Sequence, residues 1–145
     1  MPTNLKEINF VDLVTMAQTI FGEARGESRE GKIAVAHVIL NRYKQCKKRK
    51  QFGDGTIESV CLAPFQFSCW NKNDINYAII NEVDFVENKT FLECVMVSFN
   101  VLTGKIKDNT NGSNHYYSCS MKTPPDWSAS ITEKKYIGNH VFMKA

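Results

Sequence analysis

Ala17-Gln18-Thr19-Ile20-Phe21-Gly22-Glu23-Ala24-Arg25-Gly26-Glu27 is the stretch on which the reading of this chain turns. Leu13, Met16, Ala17, Ile20, Phe21 and Ala24 recur at helical spacing, which predicts an amphipathic helix over residues 11–24. Glu23 falls near its end. Gly26 is expected to stop the helix, and Ser28 to cap a second one from about Arg29 to Tyr43. The second helix is apolar around most of its circumference between Ile33 and Leu40, so it belongs in the interior.

Further out, Gly53-Asp54-Gly55 marks a turn, and Thr56 caps a short helix to Leu62 that Pro64 prevents from continuing. Asp74 is expected to cap another helix ending near Val83. Phe91, Leu92, Val95, Met96, Phe99 and Leu102 predict a buried helix from Thr90, closed by Gly104. Beyond Gly104 no helical period survives, and short strands or ordered loops fit His115-Tyr116-Tyr117 and Tyr136 to Met143. The expected fold class is α+β, mostly α, with a small β or irregular C-terminal part.

The bulk numbers agree with one domain over residues 1–145. The hydrophobic fraction is 43% and the charged fraction 23%, an ordinary globular balance. The net charge of +3 is uneven: residues 1–72 carry 11 Lys/Arg against 7 Asp/Glu, the remainder 7 against 8. Much of the surplus lies in Lys44-Gln45-Cys46-Lys47-Lys48-Arg49-Lys50. That run suits an anionic partner such as nucleic acid, acidic lipid or an anionic wall polymer, and equally a solvated loop after a helix.

No apolar stretch reaches the ~20 residues a membrane span needs, so no stable membrane anchor is expected. Met1 to Asn9 is polar and mixed in charge, unlike a Sec signal peptide. This reading places synthesis in the cytoplasm. Cysteines 46, 61, 69, 94 and 119 form an odd set without a CxxC pair, which suits reduced thiols; a Cys61–Cys69 bridge cannot be deduced from spacing.

Three groups of residues carry candidate chemistry. Glu23 and Glu27 would sit about 6 Å apart along a continuing helix, on one face. Beside Phe21 and Ile20, desolvation would favour the protonated carboxyl, the state a glycosidase acid needs; a solvated Glu23, with Glu27 paired to Arg25 or Arg29, fits the same spacing. Phe65-Gln66-Phe67-Ser68-Cys69-Trp70-Asn71 sets aromatics beside amide and hydroxyl groups, as a sugar-binding groove requires. It also reads as core, with Phe65 and Phe67 inside and Trp70 covering an edge. Asn114-His115-Tyr116-Tyr117, with Pro124-Pro125-Asp126-Trp127 downstream, could position substrate or orient an acid.

His37, His115 and His140 lack metal-ligand spacing, so no metal and no cofactor are expected. No local signature supports Cys/His nucleophilic catalysis.

Together these pieces resemble one family. The run Ala17–Glu27, then Glu30-Gly31-Lys32-Ile33-Ala34-Val35-Ala36 and Val38-Ile39-Leu40-Asn41-Arg42, is similar to the cell-wall hydrolase family of the spore cortex-lytic enzymes. The resemblance continues through Thr56–Val60, Gln66–Asn71, His115–Tyr117 and Pro125–Trp127 to Ile137–Phe142. It implies a lysozyme-like, mostly helical catalytic domain. It also implies lytic transglycosylase cleavage of the β-1,4 bond between N-acetylmuramic acid and N-acetylglucosamine, leaving 1,6-anhydromuramoyl ends.

By the same resemblance Glu23 is the general acid and then the base. Gln66, Ser68, Trp70, His115, Tyr116 and Tyr117 are the candidate substrate-binding residues, and peptidoglycan glycan strands the partner. A reducing product would mean a hydrolytic muramidase and a second carboxylate, with Glu27 and Asp126 the first candidates. A catalytic domain without export signal or wall-binding module is similar to a phage or prophage endolysin, released to the wall through the pore of a holin. The rivals are a non-catalytic glycan-binding domain of the same fold and a nucleic-acid-binding protein. The second is disfavoured because the single basic cluster has no DNA-reading motif.

Overall fold

The computed structural model describes residues 8–145, so most of the polar N-terminal stretch lies outside the described residues. The first helix, α1 (Phe10–Ala24), starts where Asn9 accepts hydrogen bonds from the amides of Val11 (2.7 Å) and Asp12 (3.3 Å). It ends one residue before Gly26, on Arg25, whose amide donates to the Phe21 carbonyl. Gly26 follows that cap directly, where the stop is expected, although it is not among the residues of positive φ and takes no left-handed conformation. The turn is made instead by Glu27, whose amide donates to the Ala24 carbonyl, and by Ser28, which caps the next helix at the Gly31 amide.

That helix, α2 (Arg29–Gln45), runs through the interior with twelve consecutive buried residues from Gly31 to Arg42. Around it lie α3 (Ile57–Leu62), α4 (Ile75–Glu82) and α5 (Lys89–Leu102). Thr56 and Ser59 form a reciprocal capping box at α3. Asp12 reaches the same end from α1 and accepts from the Glu58 amide at 2.9 Å, a carboxylate on a helix N-terminus. Asp74 caps α4 as expected. α1 packs on all four other helices, and Met16, Ile20, Ile39, Val60, Ile80 and Phe91 are among the side chains wholly removed from water.

Three strands follow: β1 (His115–Ser118), β2 (Lys135–Ile137) and β3 (His140–Met143), antiparallel in the order β1-β3-β2. The chain is therefore mostly helical with a small C-terminal sheet, as its pattern predicts. The stretch from Tyr136 to Met143, read as short strands or ordered loops, belongs to a hairpin of β2 and β3. Gly138, at φ 57°, takes the first position of a two-residue turn and Asn139 the second.

Alternation along the strands sorts the side chains into two sets. Tyr116, Phe142 and His140 share one face, and Phe142 is completely buried there. His115 and Tyr117 take the other face, where both rings meet Trp127.

The sheet is held to the helices by polar arms from α2. His37 Nε2 lies 3.0 Å from the Ile106 carbonyl. Asn41 donates to Asp108 (3.0 Å) and to the Ser113 carbonyl (2.9 Å), and Arg42 Nε donates to the Asn114 carbonyl at 2.7 Å. Each group is buried, so each bond also satisfies a polar atom that water cannot reach. Together they fix the chain entering β1, and with it Tyr116.

Candidate active site

Glu23 lies in the last turn of α1, half-buried, with donors on both carboxyl oxygens. Oε2 accepts the Cys69 backbone N–H at 3.0 Å and the Ser68 hydroxyl at 3.4 Å. Oε1 accepts the Tyr116 hydroxyl. The donors come from a 3-10 turn, Ser68–Trp70, and from β1 on the opposite side. A carboxylate held from two sides has a fixed orientation, which acid–base catalysis requires.

Close approach of α1 and this turn depends on Gly22. A Cβ there would lie 2.7 Å from Cys69 Cβ, 2.9 Å from its Sγ and 3.0 Å from Ile80 Cγ2. On the far side of the turn, the Trp70 indole N–H donates to Thr19 Oγ1 at 2.9 Å, fastening the turn to α1 a second time. Trp70 thus has a supporting contact below the carboxylate.

Behind Tyr116 lies Arg42, buried to 4% exposure, its guanidinium 4.6 Å from the Phe67 ring centre and 5.2 Å from that of Phe52. Its Nη1 reaches Gln66 through the side-chain oxygen (3.3 Å) and the carbonyl (3.5 Å). Gln66 is therefore part of the scaffold that aims Ser68 and Cys69. Burial pushes Arg42 below its ordinary value, opposed by Tyr116 and Glu23; a guanidinium remains charged regardless. Burial, reinforced by the neighbouring Glu23, pushes the Tyr116 phenol well above its ordinary value. It stays a protonated donor.

The Cys69 thiol is driven up by burial and by Glu23, and burial pushes Cys61 and Cys94 to about 12. All five cysteines are free, including Cys61 and Cys69. The buried thiols have the character of packing groups rather than nucleophiles.

His115 and Tyr117 are on the sheet face away from Glu23. The Ala145 amide donates to Asn114 Oδ1 at 2.8 Å, so that oxygen is an acceptor, and His115 Nδ1, 2.9 Å away, is the donor. Burial, then Arg42 and Arg49, push His115 down to about 4. It is a neutral imidazole with its Nε2 lone pair free of the Asn114 contact.

Glu27 has a different task from Glu23. Its Oε1 accepts the Asn139 backbone N–H at 2.8 Å and its Oε2 the Asn139 amide at 3.0 Å, with His140 Nδ1 3.7 Å away. A side chain at Gly138 would collide with Glu27 Oε1. Burial works against the charge, but the two Asn139 bonds, His140 and Lys32 outweigh it, so the Glu27 carboxyl sits below its ordinary value. Asp126 is exposed in a short turn, Asp126–Ser128. Among the described residues no three His, Cys, Asp or Glu stand together as a metal cluster, and no helix is long and apolar enough to cross a membrane.

Several site features have no signature in the sequence. The Cys69 donor is a backbone N–H, which any residue could supply. Phe67 is buried, as one reading required, but Phe65 is 89% exposed. Its φ is 62°, a left-handed backbone that costs a bulky residue about 1–3 kcal/mol. The basic run divides as well: Lys44, Lys47, Lys48 and Lys50 are exposed, whereas Arg49 lies over Phe52 and donates to the Ala145 carbonyl. A cavity of about 660 Å³ is lined by Thr110, Ser113, Lys134, Lys135 and Lys144 among others; Glu23, Ser68 and Tyr116 do not line it.

Fold and carboxylate seat together define a helical domain with one acid clasped between a turn and a sheet. The chain belongs to the cell wall hydrolase family, which it matches over residues 26–143, beginning just after Glu23. It is similar to the spore cortex-lytic enzyme of Oceanobacillus iheyensis, with 31% identity over 134 residues, 92% of this chain and 41% of that protein. That of Bacillus subtilis is 28% identical over 131 residues, 90% of this chain and 37% of that one. The chain thus spans well under half the length of the curated relatives it matches. Among solved structures, it is similar to the catalytic domain of the germination-specific lytic transglycosylase SleB from Bacillus anthracis (TM-score 0.67, 25% identity, 97% of this chain and 100% of that one). The Bacillus cereus SleB catalytic domain gives a TM-score of 0.68 at 26% identity, covering 99% of this chain and 95% of that one.

Proposed function

We propose that this chain cleaves the β-1,4 bond between N-acetylmuramic acid and N-acetylglucosamine in peptidoglycan, as a lytic transglycosylase with Glu23 as its acid and base. The observation that carries the reading is the Glu23 seat, set against the commitment of Glu27 to the β2–β3 turn. The protonated Glu23 carboxyl donates to the glycosidic oxygen as the C1–O bond breaks. The carboxylate then takes the proton of the muramoyl C6 hydroxyl, whose oxygen closes onto C1. An internal nucleophile removes the need for a second carboxylate to hold water or form a covalent sugar.

Tyr116 suits both halves of this cycle. A hydroxyl donates to a carboxylate and accepts from a carboxylic acid, whereas the Cys69 N–H, which bonds Oε2, only donates. The proton is therefore best placed on Oε1, which faces the Tyr116 hydroxyl. Likeness to the catalytic domain of a lytic transglycosylase supports the same chemistry.

The test is mass spectrometry of digested peptidoglycan with wild type and Glu23→Gln. Anhydro-muropeptides that vanish in the variant are expected. Reducing muropeptides would replace the reading with a muramidase, free stem peptides with an amidase, and unchanged binding without products with a glycan-binding domain. The accompanying proposal for delivery is the endolysin route, from the cytoplasm to the wall through another protein's pore; wall cleavage by cells that make no such pore would overturn it.

A further inference from the structure

Ala63-Pro64-Phe65-Gln66 forms a β-turn closed by the Gln66 amide on the Ala63 carbonyl at 3.2 Å. Pro64 at the second position and a positive φ at the third are the marks of a type II turn. The third position ordinarily takes glycine or asparagine, because a Cβ is strained there. Here it holds phenylalanine, and the ring that incurs the strain is 89% exposed. Neither local backbone preference nor core packing accounts for an aromatic at this position.

The turn is rigidly joined to the acid. Gln66 is held by Arg42 through both its carbonyl and its side chain. Two residues later Ser68 and Cys69 donate to Glu23. Three chain steps separate Phe65 from Ser68, so their Cα atoms lie within roughly 11 Å of each other. That is the scale of a disaccharide. The ring therefore stands on a fixed support within a few sugar units of the bond that Glu23 would cleave.

We infer that Phe65 is a glycan platform: an aromatic subsite that stacks on the apolar CH face of a sugar ring beside the cleaved linkage. The inference rests on the glycan-cleaving reading and adds a residue that sets how long a strand is gripped. An exposed ring of this kind gains by covering itself with an apolar sugar face, while the sugar hydroxyls remain in water.

The experiment measures binding of purified, peptide-free glycan strands and of the disaccharide unit by calorimetry. It uses Glu23→Gln, Glu23→Gln/Phe65→Gly and Glu23→Gln/Phe65→Trp, with thermal melting of each. Glycine should relieve the turn and raise the melting temperature, yet bind long strands about tenfold more weakly than Glu23→Gln alone, the loss of one aromatic face. Tryptophan should retain binding. A stabilised Phe65→Gly double variant that binds long strands as tightly as Glu23→Gln would overturn the platform and leave the glycosidase reading intact. No binding by any variant would instead overturn the glycan-cleaving reading, and the platform with it.

Discussion

Glu27 follows Glu23 by four residues, yet its carboxylate closes on Asn139, 112 positions along the chain, through bonds of 2.8 and 3.0 Å. The two glutamates of one motif therefore serve different ends: one is presented among donors, the other clamps a hairpin to the α1–α2 corner. The Lys32 ammonium ties the same corner from within, donating to the Glu27 carbonyl at 2.5 Å and pairing with Glu93 at 2.9 Å. Glu27→Ala removes both carboxylate bonds to Asn139 and leaves the Lys32 bond to the main-chain carbonyl in place. It is expected to lower unfolding free energy by about 2–3 kcal/mol in denaturant titration, with no change in the chemical class of product. A variant as stable as wild type would show that the clamp is ornamental.

Tyr116→Phe tests the sheet's hold on the Glu23 carboxylate. The ring remains against Phe142 and His140, so folding should be preserved. Only the hydroxyl donor to Glu23 is lost. With one charge-assisted bond removed, kcat should fall about 10- to 100-fold while KM changes little. An equal rise in KM with kcat intact would assign Tyr116 to substrate binding instead.

Acid should destabilise the fold at two identified carboxyls. Burial opposes both charges, but the Asn139 bonds at Glu27 and the Asn41 and Thr110 bonds at Asp108 prevail, so both sit below their ordinary values of 4.5 and 3.8. Below the ordinary values the unfolded chain binds more protons than the folded one. This stability is therefore complete above about pH 5 and is lost as the pH falls through the depressed values. Thermal melting from pH 7 to pH 2 should show that fall, and Asp108→Asn should make it shallower. A slope unaltered by Asp108→Asn would remove Asp108 from the account.

Thiol chemistry gives a separate check. Cys119 is exposed, whereas Cys46, Cys61, Cys69 and Cys94 are buried. Brief treatment of the native protein with iodoacetamide at neutral pH should label Cys119 alone and leave wall cleavage intact; the others should react only after unfolding. Rapid loss of activity with label on Cys69 would reopen a thiol mechanism.

The helices were legible because their ends carry side-chain caps. Ser28, Thr56 and Asp74 each bond the amides that their position in the sequence predicts. The hairpin was not, because Gly138-Asn139 sits within an otherwise strand-like run and the turn emerges only once β2 and β3 pair. Of the site, Glu23 and Ser68 could be singled out and prove adjacent. Tyr116 and Tyr117 could not be separated by sequence, yet strand alternation sends them to opposite faces. Arg42, buried behind Gln66 and Asn114, stood in view as part of a family-like run without an assigned task. Phe65 was ambiguous because composition cannot tell an aromatic that fills a core from one displayed on a strained turn.

The missing methyl group at position 22 has a consequence for anyone moving this carboxylate seat to another scaffold. A graft that copied Glu23 with Ser68 and Tyr116 but kept an ordinary helix residue before the acid would hold the Ser68–Trp70 turn off α1, since even one carbon there meets Cys69 at 2.7 Å. The backbone donor would recede and the carboxylate would swing. The transferable unit is therefore the spacing between α1 and this turn, which one glycine encodes, and Glu23 is the side chain that this spacing orients.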